Sequence, residues 1–295
     1  MNMLKSTFAI ILLSAILVSC AQTTNKSNNN NTSKANDLEL FKKSVNTIRP
    51  NIRNIEDVSA LLYLSGADYI PGLVNDPMNW ERYQDKDVVL AANMGVYIVD
   101  GLYQAAFHEK KSAYMSFMAG KSIATHLGVS NIFEEMIIKR LNEGIAPEDA
   151  LIERFNELLY NAEVVFNEKE ANRLFTALLT GTYIEKQYLL FSSIFSLPED
   201  LTDEEKLMLT SRLIVSTSEE LKQLPELLKI IDSYKVEDEK LFLYDQLVEL
   251  EQLRSKLNLG GAFEKTKPED FFSNPELNLM HNKLIEIRDF MISAK

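Results

Sequence analysis

The chain has 295 residues, of which 46% are hydrophobic and 25% charged, which excludes a disordered or collagen-like protein for most of its length. Its 31 basic and 43 acidic residues leave a formal charge of -12, which argues against nucleic-acid binding because phosphate contacts need clustered Lys and Arg. Glycine and proline are scarce, at 10 and 8 residues, and this composition favours helices over a β-sandwich.

The N-terminal residues have the parts of a bacterial export signal in the usual order. A lysine precedes an apolar stretch of 11 residues at positions 8–18. This stretch is shorter than the about 20 residues that span a bilayer, and it has the length of a signal-peptide core. The motif Leu17-Val18-Ser19-Cys20 follows and resembles the lipobox of bacterial lipoproteins. The resemblance implies cleavage before Cys20 and lipidation of its thiol.

Cys20 is the only cysteine, so an intramolecular disulfide, a cysteine-ligated zinc site and an iron–sulfur cluster are excluded. We expect residues 1–19 to be a signal peptide and the acyl chains on Cys20 to anchor the protein without spanning the membrane. Ala21 stands where lipoproteins retained in the inner membrane commonly have aspartate. The resemblance therefore implies the outer membrane, and we expect the periplasmic face.

Beyond the anchor, the pattern predicts a tether followed by one all-helical domain. Residues 20–36 are rich in Asn, Ser and Thr and contain no large apolar side chain, which is typical of a flexible tether. Residues 37–295 show helical periodicity, capping signals and short connections, and we predict an all-α bundle of about ten antiparallel helices with no sheet. The predicted helices are about 37–49, 55–64, 86–108, 110–127, 131–143, 147–162, 168–196, 202–216, 218–233, 236–258 and 275–293. The segments from Thr202 to Glu205 and from Thr217 to Glu220 each fit a capping box at the start of a helix.

Two long helices, 86–108 and 168–196, hold the most informative pattern. Each has a Gly-x-Tyr-Ile step, beginning at Gly95 and at Gly181. A glycine inside a helix costs about 1 kcal/mol relative to alanine, so close helix packing at both glycines is expected to compensate. Each helix also has polar residues spaced to share one face. The residues that we predict to line a ligand groove between these helices are Asn93, Tyr97, Asp100, Gln104, Arg173 and Tyr183.

The segments from Met94 to Tyr103 and from Gly181 to Tyr188 resemble motifs of a group of all-helical lipoproteins from Bacteroidota. This chain has Tyr183 where the second motif usually has tryptophan. The resemblance implies a compartment and a helical fold, and it implies no particular chemistry.

Two interpretations of the polar faces remain open, because buried polar side chains that satisfy one another would produce the same pattern as a ligand groove. We expect Asp100 to be buried, with Tyr97, Gln104 or Arg173 as its partner. The long loop at residues 65–85 is likewise either functional or a plug, formed by aromatic and apolar side chains, at one end of the bundle.

The sequence has no motif typical of a metal site, a nucleophilic serine or a phosphate-binding loop, and we expect no cofactor. The interpretation that follows is a membrane-anchored envelope lipoprotein that serves as a non-enzymatic binding or scaffold protein. Its partners would be the membrane and an envelope protein, and not a nucleic acid. The alternative is a carboxylate-dependent hydrolase or lyase with its site between helices 86–108 and 168–196, with Asp100 as the candidate acid or base.

Overall fold

The computed structural model describes residues 68–130, 160–167, 171–233, 243–257 and 272–293. Several predictions lie outside this part of the chain: the signal peptide, the lipidation site at Cys20, the tether, the helices before residue 68, the helix 131–143 and residues 147–159 of the helix that follows it. Of the described residues, 83% are helical, and none of them forms a strand. This fraction is far above the usual one-third, so the predicted all-α fold class is confirmed. The antiparallel arrangement and the domain boundaries stay predictions.

Seven α-helices and two short 3-10 helices have bounds within the described residues. The 3-10 helices are Pro71–Leu73 and Pro77–Tyr83. The α-helices are α1 Asp87–Ala106, α2 Lys110–His126, α3 Asn172–Phe195, α4 Asp203–Leu221, α5 Leu224–Ser233, α6 Tyr244–Lys256 and α7 Pro275–Ser293.

Helices α1 and α3 form the centre of the fold and have the most extensive contact of any helix pair described. Both are buried on nearly every face, which explains why α1 is apolar nearly all round and why the polar residues of α3 are paired inside the protein. The glycines lie where the two backbones approach. A Cβ atom on Gly181 would stand only 1.9 Å from the carbonyl oxygen of Ala92, and one on Gly95 would stand 2.4 Å from the carbonyl oxygen of Leu178. The predicted close packing at both glycines is confirmed.

The remaining helices surround this pair, and several of their ends follow from local sequence. The side chain of Thr202 accepts a hydrogen bond from the backbone of Glu205, and Glu205 bonds back to the backbone of Thr202, as the predicted capping box requires. Asn274 caps α7 by accepting from the backbone N–H of Glu276 at 2.8 Å. Gly128 follows α2 with a φ of 69°, a left-handed conformation that glycine adopts without strain.

Three predicted helix boundaries are wrong. The helix predicted to end at residue 162 continues through residue 167, and residue 243, inside the predicted helix 236–258, lies in a turn just before α6. The third is the division between helices 202–216 and 218–233. The sequence from Thr217 to Glu220 predicts a capping box that separates helices 202–216 and 218–233. Instead α4 continues unbroken from Asp203 to Leu221, and α5 begins at Leu224. The break falls just before Pro225, which has no N–H to donate and is tolerated only in the first turn of a helix.

Among the described residues, helix α1 alone is long and apolar enough to meet the criteria for a membrane span, and 89% of its apolar window is buried inside the protein. Its packing against α2 and α3 accounts for that composition.

Candidate functional site

The polar face of α1 is covered by an irregular segment, residues 69–83, which we call the strap. Four side chains of the helical core form hydrogen bonds with backbone atoms of the strap. The backbone N–H groups of Ile70 and Asn75 donate to Tyr103 Oη at 3.1 Å and to Asp100 Oδ2 at 2.9 Å. The carbonyl oxygens of Leu73 and Asp76 accept from Arg288 Nη2 at 2.9 Å and from Tyr97 Oη at 3.0 Å.

Beneath the strap lie two acids and one base that are closed to solvent. Asp100 and Glu185 are 0% exposed and Arg288 is 5% exposed. Arg288 forms a two-pronged ion pair with Glu185, with Nε to Oε2 at 3.2 Å and Nη2 to Oε1 at 3.3 Å. Its guanidinium carbon also lies 4.7 Å from the centre of the Tyr188 ring, in a cation–π contact. We call these three charged residues the acid–base cluster.

The two carboxyl groups of the acid–base cluster lie near enough for the charge of one to act on the other. Burial and the negative charge of Glu185 raise the pKa of Asp100 well above its ordinary value, although Arg288 and the backbone of Asn75 act in the opposite direction. Oδ1 of Asp100 has no N–H or O–H donor of its own. A proton on Asp100 would give Oδ1 a hydrogen to donate and would leave the carboxylate of Glu185 to balance the guanidinium of Arg288.

The other predicted residues of α1 are also bonded within the protein. Asn93 donates to the carbonyl oxygens of Val89 and Met291 at 3.0 Å and 3.1 Å, which ties α1 to α7. Gln104 accepts from the Ser116 hydroxyl at 2.8 Å. Burial raises the pKa of Tyr97, so its phenol remains a donor at neutral pH. The α1 half of the predicted groove is therefore a face that binds the strap and α7.

The two predicted residues of α3 do not join this face. Arg173 lies exposed in the first turn of α3, so it is not the cation beside Asp100. That cation is Arg288, which comes from α7. Tyr183 is 4% exposed and belongs to a second cluster, since the charges that act on it are those of Glu220, Glu251 and Arg254. The structure thus brings together Asn93, Tyr97, Asp100 and Gln104 and separates them from Arg173 and Tyr183.

The second cluster lies where α3 meets α4 and contains a buried ion pair. Lys186 Nζ lies 2.5 Å from Glu220 Oε1, and their side chains are 3% and 8% exposed. Gln187 donates to the other oxygen of Glu220 at 2.9 Å. Tyr183 lies one turn before Gln187 on α3, and Thr217 lies one turn before Glu220 on α4, so we group both with this ion pair as the α3–α4 cluster. Burial raises the pKa of Tyr183 well above its ordinary value, so the phenol stays protonated.

Charged residues in buried helices were the signal that sequence reasoning missed. Glu185 and Lys186 stand side by side in the buried part of α3, and a buried helix seldom contains a charge that is not paired. That pattern could have identified both as members of buried ion pairs. Nothing local in the sequence distinguishes Arg288 or Glu220 from the many surface charges around them.

A third polar contact joins α3 to α7. Ser192 Oγ lies 3.2 Å from Nε2 of His281, whose ring stacks on Phe195 at 4.8 Å. Burial lowers the pKa of His281, so the ring is neutral at pH 7. A serine nucleophile would also need a residue that orients the histidine and donors that stabilise an oxyanion, and none of these is seen among the described residues around the pair.

The strap loop has the predicted plugging contact at one point. The ring of Tyr69 lies 5.5 Å from that of Tyr103 and 6.0 Å from that of Phe107, at the C-terminal end of α1. Within the ranges that the structure describes, no group of three or more His, Cys, Asp or Glu side chains is placed to hold a metal ion.

Comparison with known proteins adds no relative: no family model, no curated protein and no solved structure matches this chain.

Proposed function

We propose that this chain is a lipoprotein of the bacterial envelope, anchored through Cys20 in the outer membrane with its helical part on the periplasmic side. The observation that carries the proposal is the signal sequence of residues 1–20, in which a positive charge, an apolar core and the motif Leu17-Val18-Ser19-Cys20 occur in order. Several acyl chains on one cysteine give stable attachment, whereas a single chain binds a membrane only marginally.

We further propose that the helical part is a non-enzymatic binding or scaffold module. The acids that acid–base catalysis would use are engaged inside the protein, since Asp100 holds the strap and Glu185 holds Arg288. Both are fully buried under the strap, so a substrate has no direct access to either carboxyl group. The negative charge of the chain favours an envelope protein rather than a nucleic acid as its partner.

The anchor is tested by labelling cells with a palmitate analogue. The wild-type chain is expected to take up the label and to fractionate with the outer membrane, and Cys20→Ala is expected to lose both properties because the thiol is the acylated group. Ser19→Ala is the matched control, because it keeps a small residue before the cysteine and should still be labelled. Equal labelling of Cys20→Ala and the wild type would contradict the proposal.

A second candidate function is a carboxylate-dependent hydrolase or lyase. It is favoured by one observation, that Asp100 lies beside Glu185 with a raised pKa, as in paired carboxyl groups that act as acid and base. Such an enzyme would have to move the strap to admit a substrate. A screen of chromogenic ester, glycoside and phosphate substrates tests it. Activity that Asp100→Asn and Glu185→Gln both abolish, with unchanged circular dichroism, would replace the scaffold proposal by this one.

A further inference from the structure

The α3–α4 cluster contains three buried polar atoms with no hydrogen-bond partner. They are Tyr183 Oη, Gln187 Oε1 and Thr217 Oγ1, and their residues are 4%, 0% and 2% exposed. A buried polar group without a partner costs about 1–3 kcal/mol, so folded proteins rarely leave one. Three such atoms in one cluster could be satisfied together by a separate molecule bound among them.

The three atoms come from faces that the structure joins. Tyr183 and Gln187 are four residues apart on α3 and therefore share a face. Thr217 and Glu220 are three residues apart on α4 and share a face for the same reason. The hydrogen bond of 2.9 Å from Gln187 to Glu220 brings the two faces together. It also sets the orientation of the Gln187 amide, because turning the amide round would place its oxygen against a carboxylate.

Thr217, like Thr182, has a buried hydroxyl without a hydrogen-bond partner, and in this it differs from Thr180 and Thr210. Thr210 lies two turns earlier on the same face of α4, and its hydroxyl donates to the carbonyl oxygen of Lys206 at 2.7 Å. Thr180 on α3 donates in the same way to Thr176 at 2.8 Å. Thr217 makes no such bond to its own helix. Its hydroxyl is therefore available to a molecule in the cluster.

The charges around the cluster favour an uncharged molecule. Lys186 and Glu220 neutralise one another at 2.5 Å, so a charged ligand would enter a buried site with no net opposite charge. On one side the cluster adjoins the ion pair of Glu251 and Arg254, whose side chains are 22% and 24% exposed.

We propose that Tyr183, Gln187 and Thr217 form a binding site for a small uncharged compound that carries a carboxamide. The N–H groups of a carboxamide would donate to Gln187 Oε1, and its carbonyl oxygen would accept from the hydroxyls of Tyr183 and Thr217. This assignment uses the one acceptor and the two hydroxyl donors that the site offers.

Acetamide is the probe for the test, measured by saturation-transfer NMR with the full-length lipidated chain in detergent. Wild type is expected to bind acetamide saturably. Thr217→Val keeps the shape of the side chain and removes its hydroxyl, and it should weaken binding about tenfold, the loss that one hydrogen bond gives. Thr210→Val is the matched control and should bind as wild type does.

Tyr183→Phe supplies a second variant in case Thr217→Val fails to fold, and it should also weaken binding about tenfold. Absence of saturable binding by the wild type would overturn the proposal, as would an equal loss in Thr210→Val. A structure of crystals grown with acetamide shows which molecule occupies the site between Tyr183, Gln187 and Thr217. Acetamide between the three atoms supports the proposal, and ordered water alone in its place overturns it.

Discussion

Asp100, Glu185 and Arg288 place two acids and one base in a region closed to water, so the charge of the acid–base cluster depends on a single proton. With the proton present, one carboxylate balances one guanidinium. Without it, the buried region carries an excess negative charge, which is costly in a poorly solvated site. The negative charges of Glu185 and Asp100 raise the pKa of Arg288 although burial lowers it, so this side chain stays charged throughout.

The first prediction concerns the unequal importance of these residues for stability. Arg288→Met should lower the free energy of unfolding by about 3–5 kcal/mol, because it leaves the buried Glu185 without a cation. Asp100→Ala should cost about 1–3 kcal/mol, since the N–H of Asn75 loses its acceptor. Asp100→Asn should be nearly neutral, because the amide can accept from Asn75 and donate to Glu185.

Chemical denaturation of the purified chain measures these values. Lys229→Met is the control, because the Lys229 side chain is 65% exposed and its loss should change stability by less than about 0.5 kcal/mol. If Arg288→Met were as stable as this control, Glu185 would not be a buried carboxylate that carries a negative charge.

The second prediction concerns pH. The pKa of Asp100 is raised in the folded protein, so the unfolded chain loses this proton first as pH rises. The contribution of Asp100 to stability is therefore fully present below its unfolded pKa of about 4 and is lost as pH rises towards the folded pKa. Denaturation of the wild type and Asp100→Asn across this range is the measurement.

Taking the difference between the two proteins removes the effects of other titrating groups, such as His281, whose lowered pKa acts in the opposite direction. The stability of the wild type relative to Asp100→Asn should fall as pH rises. A difference that is constant with pH would show that Asp100 titrates normally.

At the scale of elements, α1 and α3 pack closely because a glycine of each helix lies at their contact. Gly95 and Gly181 let each backbone approach the other closely, and this approach buries the apolar faces of both helices. The cost of a glycine within each helix is offset by the packing that it permits. The same contact places Asp100 of α1 next to Glu185 of α3.

The third prediction follows from this contact. Gly181→Ala should destabilise the protein by about 1–3 kcal/mol or more, because its Cβ would meet the backbone of Ala92, which cannot rotate away. Gly72→Ala is the matched control, since a Cβ there has nothing within 4 Å, and it should be neutral or slightly stabilising. Thermal unfolding followed by circular dichroism compares them. Equal midpoints for the two variants would mean that α1 and α3 lie farther apart than described.

At the scale of the whole molecule, the strap ties the start of the described chain to its last helix. Tyr83 Oη donates to the carbonyl oxygen of Ile292 at 2.8 Å, across 209 positions of sequence. Arg288 reaches Leu73 in the same way, across 215 positions. Contacts of such long range form only once the bundle between them is assembled, so strap and α7 should open together.

The fourth prediction tests this coupling. Tyr83→Phe removes the hydroxyl and should cost about 1 kcal/mol. Hydrogen exchange should speed up both in the strap and in the last turn of α7, with little change in α2. Tyr114→Phe is the control, because within the described structure the Tyr114 hydroxyl makes no hydrogen bond. Faster exchange in the strap alone would show that strap and α7 open independently.

The helical class, most helix ends and the burial of Asp100 were determined by the sequence itself. Helix caps, glycine stops and apolar periodicity act within a few residues, so a single sequence contains them in full. The Thr202 capping box and the Asn274 cap are such local features. The α4–α5 boundary was mispredicted because two local signals competed, and Pro225 prevailed over Thr217.

Only the tertiary structure decides which polar side chains contact one another. Arg288 pairs with Glu185 across 103 positions of sequence, and nothing near either residue specifies that distance. The helix pattern favours Arg173 as the cation beside Asp100, but Arg173 lies in the first turn of α3 and is exposed. Side-chain partners depend on how helices are placed after packing, and packing is determined by the sum of many apolar contacts rather than by the spacing of any one motif.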